Sequence, residues 1–254
     1  MAKKYQAPIV RKAFNILDAI SKSRKGMRLS EISAALNISK STVHGIIAAL
    51  EDQGAIIRDV VTKRYTIGLT LIELGKAAYG RINLKDTARP FLEALMAHCQ
   101  ESVFLGVRNG NSVTVIDIIE AQKDFKISSP IGTSLPLLTG AVGKIFLSQL
   151  SYEKVQQYLH ATPLIRYTAN TITDADHYQR ELESVIKKGY ATDDEEYLSG
   201  VRAVAAPVKP FAGYLSAIWV VGFTASMTAG KLDSIIEQTC LTAEKLSNRL
   251  KERL

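Results

Sequence analysis

The stretch 37-NISKSTVHGIIAALEDQG-54 decides the fold of the first third of the chain, because it holds a helix end, a turn and a new helix. Asn37 tolerates the left-handed conformation that ends a helix, and Ser39 is a good N-cap for the next one. The preceding segment has helical spacing, and Ser30 is its predicted N-cap. Two short helices joined by a tight turn predict a helix-turn-helix.

The second of these helices has one apolar face and one face of small or polar side chains. The apolar residues recur every three or four positions, which predicts a buried stripe of Val43, Ile47 and Leu50 with Ile46 at its edge. The opposite face carries Ser41, His44, Gly45 and Ala48. Small and hydrogen-bonding side chains allow close approach, and a helix N-terminus suits phosphate. Gly45 destabilises the helix by roughly 1 kcal/mol relative to alanine. Close packing of the helix into a DNA groove would explain a glycine here, and neutral drift would explain it equally.

Two further elements complete the predicted module. Apolar spacing predicts an earlier helix near residues 9–23, with a buried stripe of Val10, Phe14, Leu17 and Ile20. After Gly54, the β-like runs 55–59 and 63–67 predict a hairpin, or wing, whose tip could follow a DNA backbone or enter a minor groove. Three-helix units also serve as protein-interaction modules, so the helices alone do not decide the function.

The distribution of charge favours nucleic acid as the partner of this module. The formal net charge of the 254-residue chain is +7. Residues 1–80 hold 13 Lys and Arg against 6 Asp and Glu, whereas the remaining residues hold 19 of each. The whole excess therefore lies in the first third, as expected for a polyanion-binding module joined to a neutral body.

The run SEISAALNISKSTVHGIIAALEDQGAIIR, followed by YTIGLTLIELG, resembles the winged helix-turn-helix and connecting helix of IclR-type bacterial transcriptional regulators. The resemblance implies that the third helix reads a DNA major groove. Ser41, Thr42 and His44 are then candidates for base contacts, and Lys40, Arg58, Lys63 and Arg64 for phosphate or groove contacts. The family often has arginine directly after this histidine, where the chain has Gly45, so the other cations must contribute more of the affinity.

The rest of the chain predicts a linker helix and a larger α+β domain. Residues 69–79 read as a helix whose apolar surface is too large for an isolated linker. Beyond it, Asn109-Gly110 joins two β-rich runs in a predicted hairpin, and 125–129 reads as a further strand. The predicted domains are a winged helix-turn-helix at 1–68, a linker helix at 69–82 and an effector-binding and oligomerisation domain at 83–254.

Three more stretches carry the resemblance, namely 131-IGTSLPLLTGAVGKIFL-147, 189-GYATDDEEYLSGVRAVAAPV-208 and 214-YLSAIWVVGF-223. They imply a GAF-like sensor fold with an antiparallel sheet and an effector pocket. The residues carried over to the pocket are Leu135, Ala141, Val142, Asp193, Ala203, Trp219 and Val221. Many members have two serines where this chain has Trp219 and Val221, which favours a bulkier, apolar or aromatic acid. The alternative is a pocket that Trp219 itself fills.

Catalytic and metal chemistry find little support in the sequence. The segment TGAVGKI departs from the phosphate-loop pattern at Leu138 and Ile145. Four consecutive acids, 193–196, rarely converge and are predicted to form a solvated turn, apart from Asp193. Lys144 could form a Schiff base only if it is buried. We therefore expect that the protein is not an enzyme and that it needs no metal or cofactor. Two rival classes remain: an enzyme that carries a DNA-binding module, and a protein-interaction scaffold.

The predicted partners are double-stranded DNA, a small-molecule effector and further copies of the chain, as a dimer or tetramer on a pseudo-palindromic operator. The N-terminus lacks the apolar core of a signal peptide, and no run of about 18 apolar residues predicts a membrane span. Two cysteines give no disulfide framework, so the expected location is the cytoplasm.

Overall fold

The computed structural model describes residues 7–81, 84–211 and 214–252. Its contacts divide the chain into two units, residues 1–82 and 83–254. Among the described residues, no helix combines the length and apolar character needed to cross a membrane.

The first unit is a helix-turn-helix with a wing. Its elements are α1 Pro8–Ser21, α2 Leu29–Leu36, α3 Lys40–Asp52, β1 Ile56–Arg58, β2 Tyr65–Ile67 and α4 Leu69–Arg81. Asn37 ends α2 with φ of 52°, and the strands β1 and β2 pair antiparallel, so the predicted turn and wing are confirmed. The core is built from isoleucines and valine of the three helices with two wing residues: Ile16, Ile20, Ile32, Val43, Ile46, Ile47, Ile56 and Tyr65.

Two local predictions for this unit are wrong. The stripe of α1 that faces the core is centred on Ile16 and Ile20, whereas Val10 and Phe14 are 50% and 68% exposed. A second apolar stripe on the same helix therefore lies at the surface. Helix α2 begins at Leu29 with Arg28 as its N-cap, two residues before the predicted N-cap, because the Glu31 side chain accepts a 2.9 Å hydrogen bond from Arg28 N. Ser30 is thus inside the first turn and is not the N-cap.

The second unit is an antiparallel sheet flanked by helices, as the α+β prediction required. Its helices are α5 Leu84–Cys99, α6 Gly140–Ser148, α7 Tyr152–Ala161, α8 Ala175–Lys188 and α9 Ala229–Lys251. Its strands are β3 Ser102–Asn109, β4 Ser112–Ile119, β5 Ser134–Pro136, β6 Ala191–Asp194, β7 Val201–Phe211 and β8 Tyr214–Phe223. The spatial order is β5-β4-β3-β8-β7-β6, with every neighbouring pair antiparallel.

The hairpin between β3 and β4 forms as predicted, and Gly110 takes φ of 59° at its turn. The predicted strand at 125–129 is wrong, since this segment has no regular structure and Phe125 is 84% exposed. Asp193 and Asp194 instead form the end of the edge strand β6, so the turn prediction is wrong for Asp194. Asp193, which that prediction excepted, is buried.

One face of the sheet carries the larger core. Side chains of β3, β4, β7 and β8 pack there with α6, α7 and α8, around Phe104, Phe146, Leu182 and Trp219. The side chains that alternate with them point to the opposite face. Helices α5 and α9 also pack against the sheet. The first face, with α6 across it, encloses the cavity described below.

Candidate nucleic-acid interface and ligand cavity

The N-terminus of α3 is formed as the sequence predicted. The Ser39 side chain accepts a 3.3 Å hydrogen bond from Thr42 N and lies 2.8 Å from the Thr42 hydroxyl. Val43, Ile46 and Ile47 are buried, and the opposite side of the helix is exposed at Ser41, His44, Gly45 and Ala48. Thr42 is only half-exposed and its hydroxyl belongs to the cap. Ser41 is more exposed than Thr42, although its hydroxyl also lies 3.2 Å from that of Ser39, and His44 is exposed on the same face.

The predicted cations of α3 and the wing meet in one open groove. Lys40, His44, Arg58 and Lys63 line it together with Arg28, Leu29, Ser30 and Tyr65. The groove has a volume of about 360 Å³. The Arg58 guanidinium carbon lies 5.8 Å from the centroid of the Tyr65 ring, which supports a cation–π contact across the wing. Four cations without a facing carboxylate in the lining make this groove a surface for an anion.

Arg28 is a member of this groove that the sequence analysis missed. Its Nε donates a 3.1 Å hydrogen bond to Thr62 O at the wing tip, and its backbone N–H donates to Glu31. Arg28 therefore connects the start of α2 to the wing and also lines the groove. Its position two residues before the predicted N-cap was the available signal, because anion sites favour helix N-termini.

Arg64 differs from the other predicted cations, since its donors are used inside the protein. Nη1 and Nη2 each lie 2.9 Å from a Glu31 carboxylate oxygen, and Nη1 also donates to Gly26 O at 2.8 Å. Hydrogen bonds from Arg28 N and then Arg64 hold the pKa of Glu31 below its usual value. This bidentate pair joins the wing to α2 and leaves Arg64 less available to DNA than Lys63.

The second unit contains a cavity of about 220 Å³ between the sheet and the start of α6. All seven predicted pocket residues line it: Leu135, Ala141, Val142, Asp193, Ala203, Trp219 and Val221. The cavity is also lined by residues that were not predicted from the sequence: Phe104, Val115, Ile127, Ser128, Ser129, Thr139, Gly140, Tyr197, Leu198 and Val201. Most come from strands whose register the sequence does not give, or from the irregular segment before β5. The walls are mostly apolar, and the polar lining residues come from the segment before β5, from the start of α6 and from β6 and the turn after it.

Trp219 forms a wall of this cavity without filling it. Its ring stacks on Phe104, the neighbouring residue in the β3–β8 pairing, with centroids 5.3 Å apart and planes 11° from parallel. A Cβ at Gly106 would lie 2.8 Å from the Trp219 Cη2 and Cζ3 atoms. Glycine at this position therefore leaves the space that the indole occupies, and the cavity remains open beside the ring.

The start of α6 turns tightly into the cavity. Gly140 has φ of 63°, and a Cβ at Gly143 would lie only 2.2 Å from Leu137 O, so both positions favour glycine. The N-cap residue Thr139 gives no side-chain hydrogen bond to the first turn, because its hydroxyl donates to Pro136 O at 2.6 Å. The first-turn N–H groups near Ala141 and Val142 thus have no side-chain acceptor from the cap and suit a small anion.

Asp193 places a buried carboxyl beside that helix start. It is 7% exposed, and one oxygen accepts a 2.6 Å hydrogen bond from Glu196 N. Burial raises the pKa of Asp193 above its usual value, against the hydrogen bond from Glu196 N and the charge of Lys144. Ionising this carboxyl costs free energy in the folded state, and a ligand group that donates a hydrogen bond would reduce the cost.

Lys144 is buried, but its contacts do not fit a Schiff-base lysine. The ammonium donates to Glu181 at 3.0 Å, to Glu196 at 2.6 Å and to Thr192 O at 2.9 Å. Its three hydrogens are thus satisfied, and Glu196 is a partner inside the domain rather than a surface group. Burial raises the pKa of Glu196, which the charge of Lys144 opposes.

Other reactive groups do not assemble into a centre. Burial raises the pKa of Cys99 to about 12 and raises that of Cys240, so neither thiol is activated as a nucleophile. Within residues 7–81, 84–211 and 214–252, no group of three His, Cys, Asp or Glu side chains could hold a metal ion.

Two family models match the chain. Residues 9–59 match the IclR helix-turn-helix domain, and residues 76–248 match the bacterial transcriptional regulator IclR C-terminal domain. The HTH-type transcriptional regulator BhcR of Paracoccus denitrificans is 32% identical over 237 residues, which cover 93% of this chain and 85% of the relative.

Solved structures give the same picture of the fold. An IclR transcriptional regulator from Alicyclobacillus acidocaldarius superposes with a TM-score of 0.80 at 27% identity, covering 96% of this chain and 99% of the other. An IclR homologue from Microbacterium hydrocarbonoxydans, complexed with 4-hydroxybenzoate, gives a TM-score of 0.76 at 19% identity and covers 96% and 99%.

Proposed function

We propose that this chain, which belongs to the IclR family of DNA-binding bacterial transcriptional regulators, binds a pseudo-palindromic operator as a homo-oligomer. We further propose that a small apolar or aromatic monocarboxylic acid modulates this binding. The observation that carries the DNA-binding part is the groove in which Lys40, Arg58 and Lys63 meet Arg28. The cavity beside Trp219 carries the ligand part.

In the proposed complex, α3 lies in the major groove. Ser41 and His44 contact base edges from the exposed face of the helix, and Thr42 maintains the cap. Lys40, Arg58, Lys63 and Arg28 contact phosphates, whereas Arg64 keeps the wing in place through Glu31. Gly45 leaves open space on the helix, since an added Cβ would meet no atom within 4 Å. The small face of α3 can therefore approach DNA closely.

Two exposed apolar sets in the first unit support an oligomer. Large apolar side chains of α1 and α4 are more than half exposed: Ile9, Phe14, Leu69, Ile72 and Leu74. Leaving such side chains in water costs free energy, so we assign them to contacts with a second copy of the chain. A two-fold dimer would present two α3 helices to half-sites about 34 Å, or a multiple of it, apart.

The cavity fits a small organic acid whose remaining part is apolar. Its 220 Å³ lie below the roughly 300–1,000 Å³ of pockets for drug-sized ligands, so one ring or a short chain is the appropriate size. A carboxylate would accept hydrogen bonds from the first turn of α6, and a ring would pack on Trp219 and Phe104. A second ligand charge is disfavoured near the buried Asp193 carboxyl. The open volume beside Trp219 speaks against the alternative of a pocket filled by that side chain.

The proposed ligand acts through a difference in affinity. If it binds one arrangement of the DNA-binding units better than another, it shifts the population toward that arrangement and changes the affinity for DNA. DNA must then change the affinity for the ligand by the same factor. An enzymatic role for the second unit is not supported by Lys144, whose hydrogens are all donated to internal partners.

Fluorescence anisotropy with the protein's own upstream DNA and a scrambled duplex, over a salt series, tests the DNA part. Tighter binding to the upstream duplex, with a log–log salt slope of several units, is expected for a regulator with several phosphate contacts. Weak binding that is equal for the two duplexes and independent of salt concentration would favour a protein-interaction scaffold. Trp219 is the only tryptophan, so its fluorescence reports ligands in the cavity directly. 4-Hydroxybenzoate, which the Microbacterium relative binds, is a suitable first probe.

A further inference from the structure

The wing ends in two adjacent valines that are not covered by any of the described residues of the first unit. Val60 is 79% exposed and Val61 is 90% exposed. Both lie between β1 and β2, at the turn of the hairpin. Single exposed apolar side chains are ordinary, but two neighbours at a projecting tip indicate a surface that meets a partner.

The tip is held in one conformation rather than left loose. One carboxylate oxygen of Asp59 accepts hydrogen bonds from Val61 N at 3.0 Å, from Thr62 N at 2.6 Å and from the Thr62 hydroxyl at 2.9 Å. Arg28 donates to Thr62 O from outside the hairpin, at 3.1 Å. Lys63 completes the turn with φ of 57°. The two valines are therefore presented before any partner binds, which lowers the entropy cost of using them.

The charges around the tip identify the kind of partner. The neighbouring groove is lined by Arg28, Lys40, Arg58 and Lys63. Such a surface attracts a polyanion and repels a basic protein, and the wing stands beside the helix proposed to enter the major groove. The surface next to an occupied major groove is the adjoining minor groove. Apolar side chains that contact the minor groove are an established way for proteins to add affinity there.

We propose that Val60 and Val61 form an apolar wedge that contacts the sugar walls and floor of the minor groove flanking each half-site. This inference rests on the proposed DNA-binding function and adds a contact that no cation supplies. Because the contact is apolar, it contributes affinity without releasing counterions. The amino group of guanine projects from the floor of the minor groove, so the wedge favours A·T pairs at these positions.

The first test replaces both valines with threonine, which keeps the branched shape and strand preference but adds two hydroxyls. On an upstream duplex, the V60T/V61T variant is expected to bind roughly tenfold more weakly at every salt concentration. The slope of log K against log salt is expected to stay that of the wild type. Lys63→Asn gives the contrasting result, a slope smaller by about 0.9, because it removes one phosphate contact and asparagine tolerates the left-handed turn. Ile165→Thr, at a 58% exposed position of the second unit, is the control for a surface apolar change.

A second test distinguishes the minor groove from the major groove. A·T pairs flanking the half-sites are replaced by G·C or by inosine·C, which resembles G·C in the major groove but lacks the guanine amino group in the minor groove. The wild type is expected to lose affinity with G·C and to recover it with inosine·C. The V60T/V61T variant is expected to bind all three duplexes alike.

Several results would overturn the wedge. The first is wild-type affinity in V60T/V61T. The second is a weakened variant that still discriminates G·C from inosine·C as the wild type does. The third is dissociation of the variant's oligomer in sedimentation velocity, which would assign the valines to a protein contact. Failure of the wild type to bind any duplex would instead overturn the proposed function and this inference with it. Binding by the wild type with an unchanged variant leaves the proposed function standing and refutes the wedge alone.

Discussion

The Trp219 indole occupies the space that a side chain at Gly106 would need, with its Cη2 and Cζ3 atoms 2.8 Å from the position of a Cβ there. The two residues lie on neighbouring strands, β8 and β3, whose pairing also places Trp219 opposite Phe104. The Trp219 indole and Gly106, which has no side chain, therefore pack as a pair, and the indole forms one wall of the ligand cavity.

Gly106→Ala is therefore expected to destabilise the protein by about 1–3 kcal/mol, because the added methyl forces the indole out of its place. The same change in a Trp219→Ala background should cost less, since the obstructing ring is gone. Urea unfolding of the wild type, both single variants and the double variant measures the coupling. Additive effects would contradict the packing relationship.

Lys144→Met is expected to destabilise the protein by about 3–5 kcal/mol, because it leaves Glu181, Glu196 and Thr192 O without their shared donor. Burial raises the pKa of Glu196, so lowering the pH should reduce the loss, since a protonated Glu196 no longer needs a cation. Lys22→Met is the matched control, because the ion pair of Lys22 with Asp18 is largely exposed and should matter little. Equal effects of the two changes in thermal unfolding would refute a structural role for Lys144.

Asp193→Asn should change stability in a way that depends on pH. The pKa of Asp193 is raised by burial, so the folded state binds its proton more tightly than the unfolded state does. Below the unfolded value, about 3.9, the carboxyl is neutral in both states and its ionisation imposes no penalty. As the pH rises from there through the folded pKa, the wild type loses stability that the asparagine variant keeps.

The free energy of unfolding of the Asp193→Asn variant relative to the wild type should accordingly increase from pH 3.5 to pH 7. Asparagine can still accept the hydrogen bond from Glu196 N, so the comparison isolates the charge. Asp194→Asn is the control for loss of an exposed carboxylate next in the chain, which pairs with Arg202. A relative stability that falls as the pH rises would contradict the burial penalty.

Gly45→Arg is expected to strengthen binding to any duplex and to increase the salt slope by about 0.9, because it adds one cation to the exposed face of α3. Gly45→Ala is the matched control, as it shares the helix stabilisation of up to about 1 kcal/mol but adds no charge. An added Cβ meets no atom within 4 Å, so both variants should fold. An unchanged salt slope for the arginine variant would place this face away from DNA.

The sequence predicts the elements whose signals are local. The period of Val43 and Ile47 and the cap at Ser39 suffice for α3, and Asn109-Gly110 suffices for the hairpin. The stripe of α1 shows the limit of such signals. That helix has two apolar stripes, and periodicity gives the helix but not which stripe faces the core.

Contacts between distant residues explain the remaining differences. Lys144 meets partners 37 and 52 residues along the chain, and its role follows from the folded register of α6, α8 and β6. The inward position of Arg64 depends on Glu31, 33 residues earlier. The pocket residues could be named because the family resemblance supplied them, whereas their spacing in the sequence alone indicates no site.

Operator recognition is tested most directly by letting the full-length protein select duplexes from a random library and sequencing the selected duplexes. We expect an enriched two-fold motif with half-site centres about 34 Å, or a multiple of it, apart. A·T pairs should flank each half-site where the wing lies. Recovery of duplexes with no common sequence after several rounds would contradict the central claim that this protein reads an operator.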